Sequence, residues 1–346
     1  MRTFDGLRCK LFGLLAVSVL LSCSKSGDES VPAENLTETV TFSIAGAYPV
    51  KSEAGGVEVE YSNLAVMVFR VDGEPEAVAS FEAAEKVTVE VRKGFEYRFY
   101  VVANAPEALL SSFESLTEGA FLTMGCTLED YAKGGFVMFG SGMLATETMG
   151  KEPVVVELRR YCSKVFVGEI RVPYVVNLEN PPHVTLGRIA LINVVGEIPF
   201  SANPTSDGIW YNKMRIEGPL PGGVDNLLLR VYGGVNPKME DKVPVFDATC
   251  ALYAMPNPVA VSQIDTEWSP RCTRVAVELL VNGESSWYPV SLPAMKCNKV
   301  YVIDPLILVG PGSYSPDIPV GRDAVDFKVN MYDWKEADRY IDFMDE

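Results

Sequence analysis

Residue types that perform chemistry in proteins are sparse in this chain. His183 is the single histidine and stands in Asn180-Pro-Pro-His183, a turn-like stretch without a serine or cysteine partner motif, so a loop position is expected. Gly140-Ser-Gly142-Met-Leu-Ala145 has the spacing of a dinucleotide-binding loop, but the residues up to Pro153 cannot form the helix that would hold a pyrophosphate. A tight turn is expected there instead. Carboxylates are plentiful, yet their spacing selects no acid–base pair. We therefore expect no catalytic residue, no metal site and no cofactor.

Composition and net charge limit the fold classes and the partners that the chain can have. Lys and Arg total 30 against 46 Asp and Glu, and the net charge of −16 makes a surface that neutralises nucleic-acid phosphates unlikely. Apolar residues make up 48% of the chain, which also contains 28 Gly and 23 Pro. This composition favours a globular all-β protein with many turns, which does not bind nucleic acid.

Cys23 is the one residue whose surroundings indicate a modification. Basic residues precede an apolar run over residues 11–21, which is too short to span a bilayer and has the length of a signal-peptide core. The run ends in Leu20-Leu21-Ser22-Cys23, which resembles the lipobox of bacterial lipoproteins, with Leu21 bulkier than the usual residue. The resemblance implies that residues 1–22 are a signal peptide and that Cys23 is acylated, with chains such as palmitate anchoring the protein in a membrane.

The polar stretch after Cys23 is expected to be a tether over residues 23–36. Its Ser-Lys-Ser-Gly-Asp-Glu-Ser string resembles the signal that sends lipoproteins of Bacteroidetes to the outer face of the outer membrane, and a flexible linker explains it as well.

Beyond the tether, apolar residues alternate at period two or form short β-branched runs. In residues 39–44, Val40, Phe42 and Ile44 share one face of a predicted strand. We expect two tandem β-sandwich domains over residues 37–160 and 161–346, with one short peripheral helix over residues 106–116. Further strands are expected over residues 64–71, 86–92, 95–103, 154–158, 164–172, 184–195, 227–232, 245–253, 275–281, 300–309 and 325–331.

Several strings occur in the order and at the spacing found in one family. They are Leu64-Ala-Val-Met-Val-Phe69, Tyr100-Val-Val-Ala-Asn-Ala-Pro106, Phe139-Gly-Ser-Gly142, Val154-Val-Val-Glu-Leu-Arg-Arg160, Asn298-Lys-Val-Tyr-Val302, Gly310-Pro-Gly312 and Trp334. Together with the lipobox, they resemble the fimbrillins of Bacteroidales, the FimA-type and Mfa-like fimbrial subunit lipoproteins. The resemblance covers nearly the whole mature chain.

The resemblance implies a fold and a way of assembling. Such subunits fold as two transthyretin-like sandwiches of Greek-key type, reach the outer membrane as lipoproteins, and become structural subunits of a surface fimbria that contributes to adhesion. A trypsin-like protease removes the first strand, here residues 39–46, and other fimbrial subunits bind by strand exchange. Lys51 is the only basic residue between that strand and the next one at Leu64, so it is the expected processing site, although the best-known member has Arg.

The donated strand is expected near the C-terminus, within residues 324–346. Val325, Phe327, Val329 and Met331 alternate with polar residues, and Tyr340, Ile341 and Phe343 are apolar positions in a charged tail. We favour the tail from Lys335 onward as part of the donor. In the competing interpretation, residues 325–331 close the second sandwich and the last twelve residues are disordered.

Three alternative roles stay open at this point. The chain could be a fimbrial tip subunit, or an anchor subunit that keeps its first strand. It could also be a glycan-binding surface lipoprotein that presents Trp210-Tyr211 and Trp287-Tyr288 as aromatic platforms, although aromatic residues beside turns are more commonly part of a core. Cys126, Cys162, Cys250, Cys272 and Cys297 permit disulfides whose pairing the sequence does not fix.

Overall fold

A computed structural model describes residues 36–45, 61–145, 152–201, 208–260, 267–321 and 323–334. In these ranges the chain consists mainly of strands that form several sheets, with a few short helices. The predicted all-β class with tandem sandwiches is confirmed.

Two facing sheets form the first sandwich. The strands up to residue 160 are β1 (Thr37–Ala45), β2 (Asn63–Arg70), β3 (Pro75–Glu82), β4 (Lys86–Arg92), β5 (Tyr97–Ala103), β6 (Gly125–Thr127), β7 (Met138–Leu144), β8 (Val154–Glu157) and β9 (Arg159–Arg160). One sheet has the order β4-β1-β8 and the other has the order β3-β2-β5-β7-β9. The apolar faces of the two sheets enclose a common core.

The second sandwich also has two main sheets. Its strands are β10 (Ser163–Arg171), β11 (Val184–Ile192), β12 (Val194–Val195), β13 (Glu197–Pro199), β14 (Trp210–Tyr211), β15 (Leu229–Val235), β16 (Lys238–Glu240), β17 (Val243–Ala254), β18 (Arg274–Val281), β19 (Glu284–Ser291), β20 (Lys299–Leu308) and β21 (Val325–Asp333). The sheet orders are β16-β17-β10-β20-β21 and β15-β11-β18-β19. The short strands β12 and β14 pair with each other.

The two sandwiches repeat one strand arrangement. β1 lies between β4, which is antiparallel to it, and β8, which is parallel to it. β10 lies in the same way between antiparallel β17 and parallel β20. In the facing sheets, β2 lies between β3 and β5, as β11 lies between β15 and β18. Each sandwich therefore begins with a strand that has neighbours on both sides.

The helices differ from the sequence prediction. They are α1 (Glu107–Leu110), α2 (Glu118–Thr123), α3 (Leu128–Gly134) and α4 (Asp225–Leu228), with 3-10 turns between some elements. The predicted helix over residues 106–116 was too long, because the Ser111 and Ser112 hydroxyls bond to backbone carbonyl groups and Leu116 is already extended. A capping box formed by Thr127 and Asp130 begins α3, which the prediction missed.

Two hydrophobic clusters stabilise the molecule. The smaller cluster fills the first sandwich and contains apolar side chains from β1, β2, β4, β5, β7 and β8. The larger cluster covers the opposite face of the β3-β2-β5-β7-β9 sheet, passes through the helices and continues into the second sandwich. The second core is therefore continuous with the outer face of the first sandwich.

The junction between the sandwiches combines backbone pairing and aromatic packing. β6 and β13 pair in antiparallel fashion across the junction. Phe121 stacks on Phe200 with 4.8 Å between ring centroids, and the Tyr161 hydroxyl donates a 2.8 Å hydrogen bond to the Phe200 carbonyl oxygen. These contacts join the two sandwiches through buried surface rather than through a linker alone.

Candidate functional site: the first strand and its groove

β1 is inserted between two strands that do not pair with each other. Its antiparallel register with β4 runs from Thr37 opposite Arg92 to Ser43 opposite Lys86. Additional backbone bonds close both ends, from Lys93 N to Leu36 O at 2.7 Å and from Leu158 N to Ala45 O at 2.8 Å. Without β1, both β4 and β8 would present an unpaired backbone edge to the gap between them.

The inward face of β1 fills the core of the first sandwich. Val40 is 1% exposed and Phe42 is fully buried, while Ile44 is partly buried against the same cluster. The Phe42 ring packs against Phe99 of β5 with 5.0 Å between centroids. Burial of an apolar side chain contributes about 1.5–3 kcal/mol, so Val40 and Phe42 together contribute about 3–6 kcal/mol. The side chains predicted for the inner face of this strand are thus in the core.

Gly140 and Gly142 make room for side chains that line the groove, which is the space between β4 and β8 that β1 fills. A Cβ atom on Gly142 would lie 2.7 Å from the Phe99 ring, and one on Gly140 would lie 2.6 Å from Cγ1 of Val156. Both glycines lie within β7, so the expectation of a tight turn was wrong. The missing side chains let Phe99 approach Phe42 and let β8 lie close to β7.

An ion pair lies at the end of β4. The Glu76 carboxylate of β3 accepts hydrogen bonds from the backbone N–H of Arg92 at 2.8 Å and from its Nε and Nη2. Burial alone would raise the pKa of Glu76, but the hydrogen bonds and charge of Arg92 outweigh it, and the pKa lies below its ordinary value. Burial, together with the nearby Glu76 charge, raises the pKa of Tyr97 to about 12, so its hydroxyl keeps its proton and donates to the Arg92 carbonyl oxygen at 2.8 Å.

β21 contains the first set of predicted donor residues. It is the outermost strand of its sheet and runs antiparallel to β20. Val325 and Val329 are partly buried against the large core, whereas Phe327 and Met331 are 39% and 48% exposed. Phe327 and Met331 therefore contribute less to the core than Val325 and Val329 do.

Trp334 directly follows β21 and is buried. Its side chain is 1% exposed and contacts Phe136 and Tyr253, with ring centroids 5.8 and 6.2 Å away. The Arg160 guanidinium lies 4.6 Å from the ring centroid, which is a cation–π arrangement. Since Phe136 precedes β7 and Tyr253 belongs to β17, Trp334 attaches the end of β21 to both sandwiches.

Other predicted site residues lie outside the described part of the chain. These are Cys23, Lys51, Tyr340, Ile341 and Phe343. The predicted signal peptide, the tether apart from Leu36, and the tail from Lys335 onward lie outside it as well.

The candidate sites of the rival interpretations find no geometric support. Trp210, Tyr211, Trp287 and Tyr288 are all less than 10% exposed, so their rings pack in cores, the more common placement for such aromatic residues, and do not form the platforms that the glycan-binding alternative requires. His183 is exposed, and its Nε2 contacts the side-chain oxygen of Asn236 at 3.1 Å. Within the described ranges, no group of three or more His, Cys, Asp or Glu residues is placed to hold a metal ion. None of the described helices is long and apolar enough to cross a membrane.

Sequence reasoning missed the buried polar groupings. Examples are the Glu76–Arg92 pair and buried Asp317, which contacts Arg271, Arg274 and Asn193. Each joins residues far apart in the chain, and no local pattern indicates such pairs. The outward polar position of Arg92, at the end of an alternating strand, was the only available signal.

Comparisons with known proteins agree with this architecture. Residues 54–165 match the family described as major fimbrial subunit protein (FimA), which confirms the resemblance to fimbrillins. No curated protein sequence matches the chain.

Solved structures share the fold. A candidate cell adhesion protein from Bacteroides eggerthii is 18% identical, with a TM-score of 0.63, over 88% of this chain and 98% of that chain. A candidate cell adhesion protein from Parabacteroides distasonis is 16% identical, with a TM-score of 0.59, over 86% and 98%. A fimbrilin from Porphyromonas gingivalis is 15% identical, with a TM-score of 0.55, over 86% and 97%. The shared fold supports the two-sandwich architecture, and the family match over residues 54–165 supports a fimbrial structural subunit.

Proposed function

We propose that this protein is a fimbrial subunit that polymerises by replacing β1 with a C-terminal strand from another subunit. The observation that supports this best is the position of β1: it fills the middle of a three-stranded sheet and buries Val40 and Phe42. The chain connects β1 to β2 through residues 46–62, where Lys51 offers a cleavage site. Cutting there would leave β1 held by non-covalent contacts alone, so a competing strand could take its place.

The export route belongs to the same proposal. The subunit reaches the outer membrane as a lipoprotein acylated at Cys23 and is released from that anchor when a trypsin-like protease cuts after Lys51. Metabolic labelling with a palmitate analogue tests this step: label should enter the full chain, be absent from a Cys23→Ala variant, and be lost from the main body after processing. Label that persists in assembled subunits would contradict release by cleavage.

The donor is proposed to be the tail from Lys335 onward. β21 pairs along the length of β20, and Trp334 is buried between the sandwiches, so detaching β21 would disrupt the core. The tail has apolar residues two positions apart at Ile341 and Phe343, which would share one face of a strand and enter pockets left by β1, whereas Tyr340 would point to the other face. This proposal agrees with the competing interpretation on one point, because it assigns Val325–Asp333 to the second sandwich. It differs on the tail, which it makes the donor strand.

Limited digestion of the mature protein tests the main proposal. Lys335 and Arg339 are also trypsin sites, so both are changed to Gln to keep the tail intact. We expect a cut after Lys51, detected by intact mass, followed by ladders of oligomers on unheated gels. A matched Lys51→Gln variant should remain whole and monomeric. A chain that is uncut at Lys51, or cut yet monomeric at high concentration, would contradict the proposal.

Two further variants identify the donor and the position in the fimbria. Deleting residues 335–346 should abolish the ladder while leaving the fold intact, and changing Tyr340, Ile341 and Phe343 to Ser should do the same. A ladder that survives both changes would assign the donor to β21. A cut chain that accepts a donor but donates to none would identify a tip subunit, and a chain that retains β1 in the fimbria would identify an anchor.

A further inference from the structure

β4 depends on β1 for its place in the sheet more than β8 does. In the described sheets, β1 is the strand to which β4 is hydrogen-bonded. β8, by contrast, continues through Leu158 into β9, which pairs with β7 in the facing sheet. Loss of β1 therefore leaves β4 without a backbone partner along its length, and something else must keep it in place if the groove is to persist.

The C-terminal end of β4 is held from the side opposite β1. The Lys93 N–H points toward β1, because it bonds to Leu36 O. Backbone groups of consecutive strand residues point to opposite sides, so those of Arg92 point away from β1. There the Arg92 N–H bonds to the Glu76 carboxylate and the Arg92 carbonyl oxygen accepts from the Tyr97 hydroxyl. None of these bonds requires β1.

Side-chain contacts strengthen the same end. Nε and Nη2 of Arg92 bond to the two carboxylate oxygens of Glu76 in a two-point arrangement. Only 5% of the Glu76 side chain is exposed, so the pair is shielded on the carboxylate side. The Arg92 guanidinium also lies 5.5 Å from the Phe95 ring centroid. The charge-assisted bonds fix the end of β4 to β3, and the neutral hydrogen bond from the Tyr97 hydroxyl fixes it to the start of β5.

The turn that leads from β3 into β4 has its own attachments. The Tyr61 hydroxyl donates to Ala84 O at 3.0 Å, and Ala83 N donates to Ser62 O at 3.1 Å. Between the two ends, Val87, Val89 and Val91 are buried in the first core. The strand is thus fixed at both ends and along its inner face by groups that belong to the body of the sandwich.

We propose that the Glu76–Arg92 pair, with Tyr97, is a positioning device that keeps β4 as a fixed groove wall after β1 leaves. A fixed wall presents its backbone groups in register to an incoming strand, so less ordering is needed on binding. This inference rests on the proposed function, because the pair matters in this way only when β1 can be exchanged.

The experiment removes the connection between β1 and β2 without using Lys51. The recognition sequence of an unrelated, specific protease is inserted between Pro49 and Gly56 of the full chain, and the folded protein is cut there. A fluorescent peptide of residues 36–48 is then added in excess, and its rate of exchange into the groove and its equilibrium affinity are measured. Thermal unfolding of the cut and the uncut chains is measured in parallel.

Glu76→Gln is compared with Glu90→Gln, an exposed glutamate on the outer face of β4. We expect Glu76→Gln to weaken peptide binding about tenfold or more in the cut chain, since it removes charge-assisted bonds. The uncut chain should change much less, because β1 then supports β4. Glu90→Gln should match the unchanged chain in both states. If Glu76→Gln prevents folding, Arg92→Lys, which keeps the charge and loses the two-point geometry, replaces it.

Two results would overturn the inference. One is equal peptide affinity for the Glu76→Gln and Glu90→Gln chains, and the other is an equal loss of stability by Glu76→Gln in cut and uncut chains. Failure of the proposed function is a separate outcome: the unchanged cut chain would bind the peptide and still form no oligomers.

Discussion

The first strands of the two sandwiches hold equivalent positions but are integrated to different degrees. β1 and β10 each lie between an antiparallel and a parallel neighbour. β1 is the middle of three strands and buries only its inward residues, whereas β10 is the middle of five and is buried on both faces from Ser163 to Gly168. Position within a sheet therefore does not by itself decide whether a strand can be exchanged.

The two strands differ in how much apolar surface their removal would expose, and this bears on the proposed exchange of β1. One face of β1 is open to solvent, so its removal exposes a single apolar row and two backbone edges. The other face of β10 is covered too, because both of its faces contribute to the large core. β10 also follows β9 after two residues, Tyr161 and Cys162, both buried. In the proposed exchange, removing β1 loses the burial of one apolar face and two sets of backbone hydrogen bonds. A similar strand that binds in its place would restore both.

The largest expected effect compares Phe42→Ala in β1 with Phe166→Ala in β10. Both aromatic side chains are buried, and each change should lower the free energy of unfolding of the intact chain by about 3–5 kcal/mol. Chemical denaturation measures this. After cleavage between β1 and β2, only Phe42→Ala should release the N-terminal segment on a sizing column. Equal release from the Phe166→Ala chain would end the distinction between the two strands.

Trp334→Ala tests whether β21 is as firmly integrated as β10. The change removes a ring that packs between both sandwiches and should lower the free energy of unfolding by about 3–5 kcal/mol. Tyr314→Ala, at a side chain that is 84% exposed, should stay within about 0.5 kcal/mol. A small effect of Trp334→Ala would instead make β21 a detachable strand and a credible donor.

Gly142→Ala tests how tightly Phe99 packs against Phe42 of β1. The added methyl group would lie 2.7 Å from the Phe99 ring, and the crowding should cost about 1–3 kcal/mol. Gly119→Ala in α2 meets no atom within 4 Å and should be neutral or stabilising by up to about 1 kcal/mol. Thermal unfolding measures both. A neutral Gly142→Ala chain would show that Phe99 can move away from Phe42 without cost.

The smallest expected effect is the pH dependence of two carboxylates, one in each sandwich. Burial opposes ionisation of both Glu76 and Glu278, but hydrogen bonds and charge from Arg92 and Arg188 outweigh it, so both pKa values lie below the ordinary 4.5. A lowered pKa in the folded state stabilises the protein above pH 4.5, and this stabilisation is lost as the pH falls through the folded-state pKa.

Gln variants at these two positions should reduce the slope of unfolding free energy against pH below about pH 4.5. Detaching β1 should enlarge the contribution of Glu76, which holds β4, and leave that of Glu278 unchanged. Denaturant titrations at several acidic pH values measure these slopes. An enlarged Glu278 contribution would show that the two sandwiches respond together.

Strong alternation made much of the fold predictable from the sequence. Val40, Phe42 and Ile44 identify β1 because a half-buried strand needs one apolar face. β3 was missed because its sequence, Pro75 to Glu82, has no clear alternation and all its positions are at least partly exposed. The helix α3 was missed although its Thr127 and Asp130 capping pair was readable, since the segment is short and its apolar residues do not repeat.

The groove itself was only partly predictable. Gly140 and Gly142 suggest a turn when read locally, and their role depends on Phe99 and Val156, which other strands bring close. The contact between Glu76 and Arg92 likewise results from the packing of β3 beside β4. Such features belong to tertiary structure, where one residue's role is set by a partner that the local sequence does not specify.

One neighbour of β1 is antiparallel to it and the other is parallel to it, so a strand that binds in the groove must run in one direction. A ribbon that reproduces the bonding of β1 must run antiparallel to β4 and parallel to β8, and the reverse orientation would exchange both hydrogen-bond patterns. Every donor strand would then run in the same direction within the groove. A filament built from such head-to-tail contacts is polar, with an empty groove at one end and an unused donor strand at the other, and it stays open as long as the rotation between successive subunits does not close it into a ring.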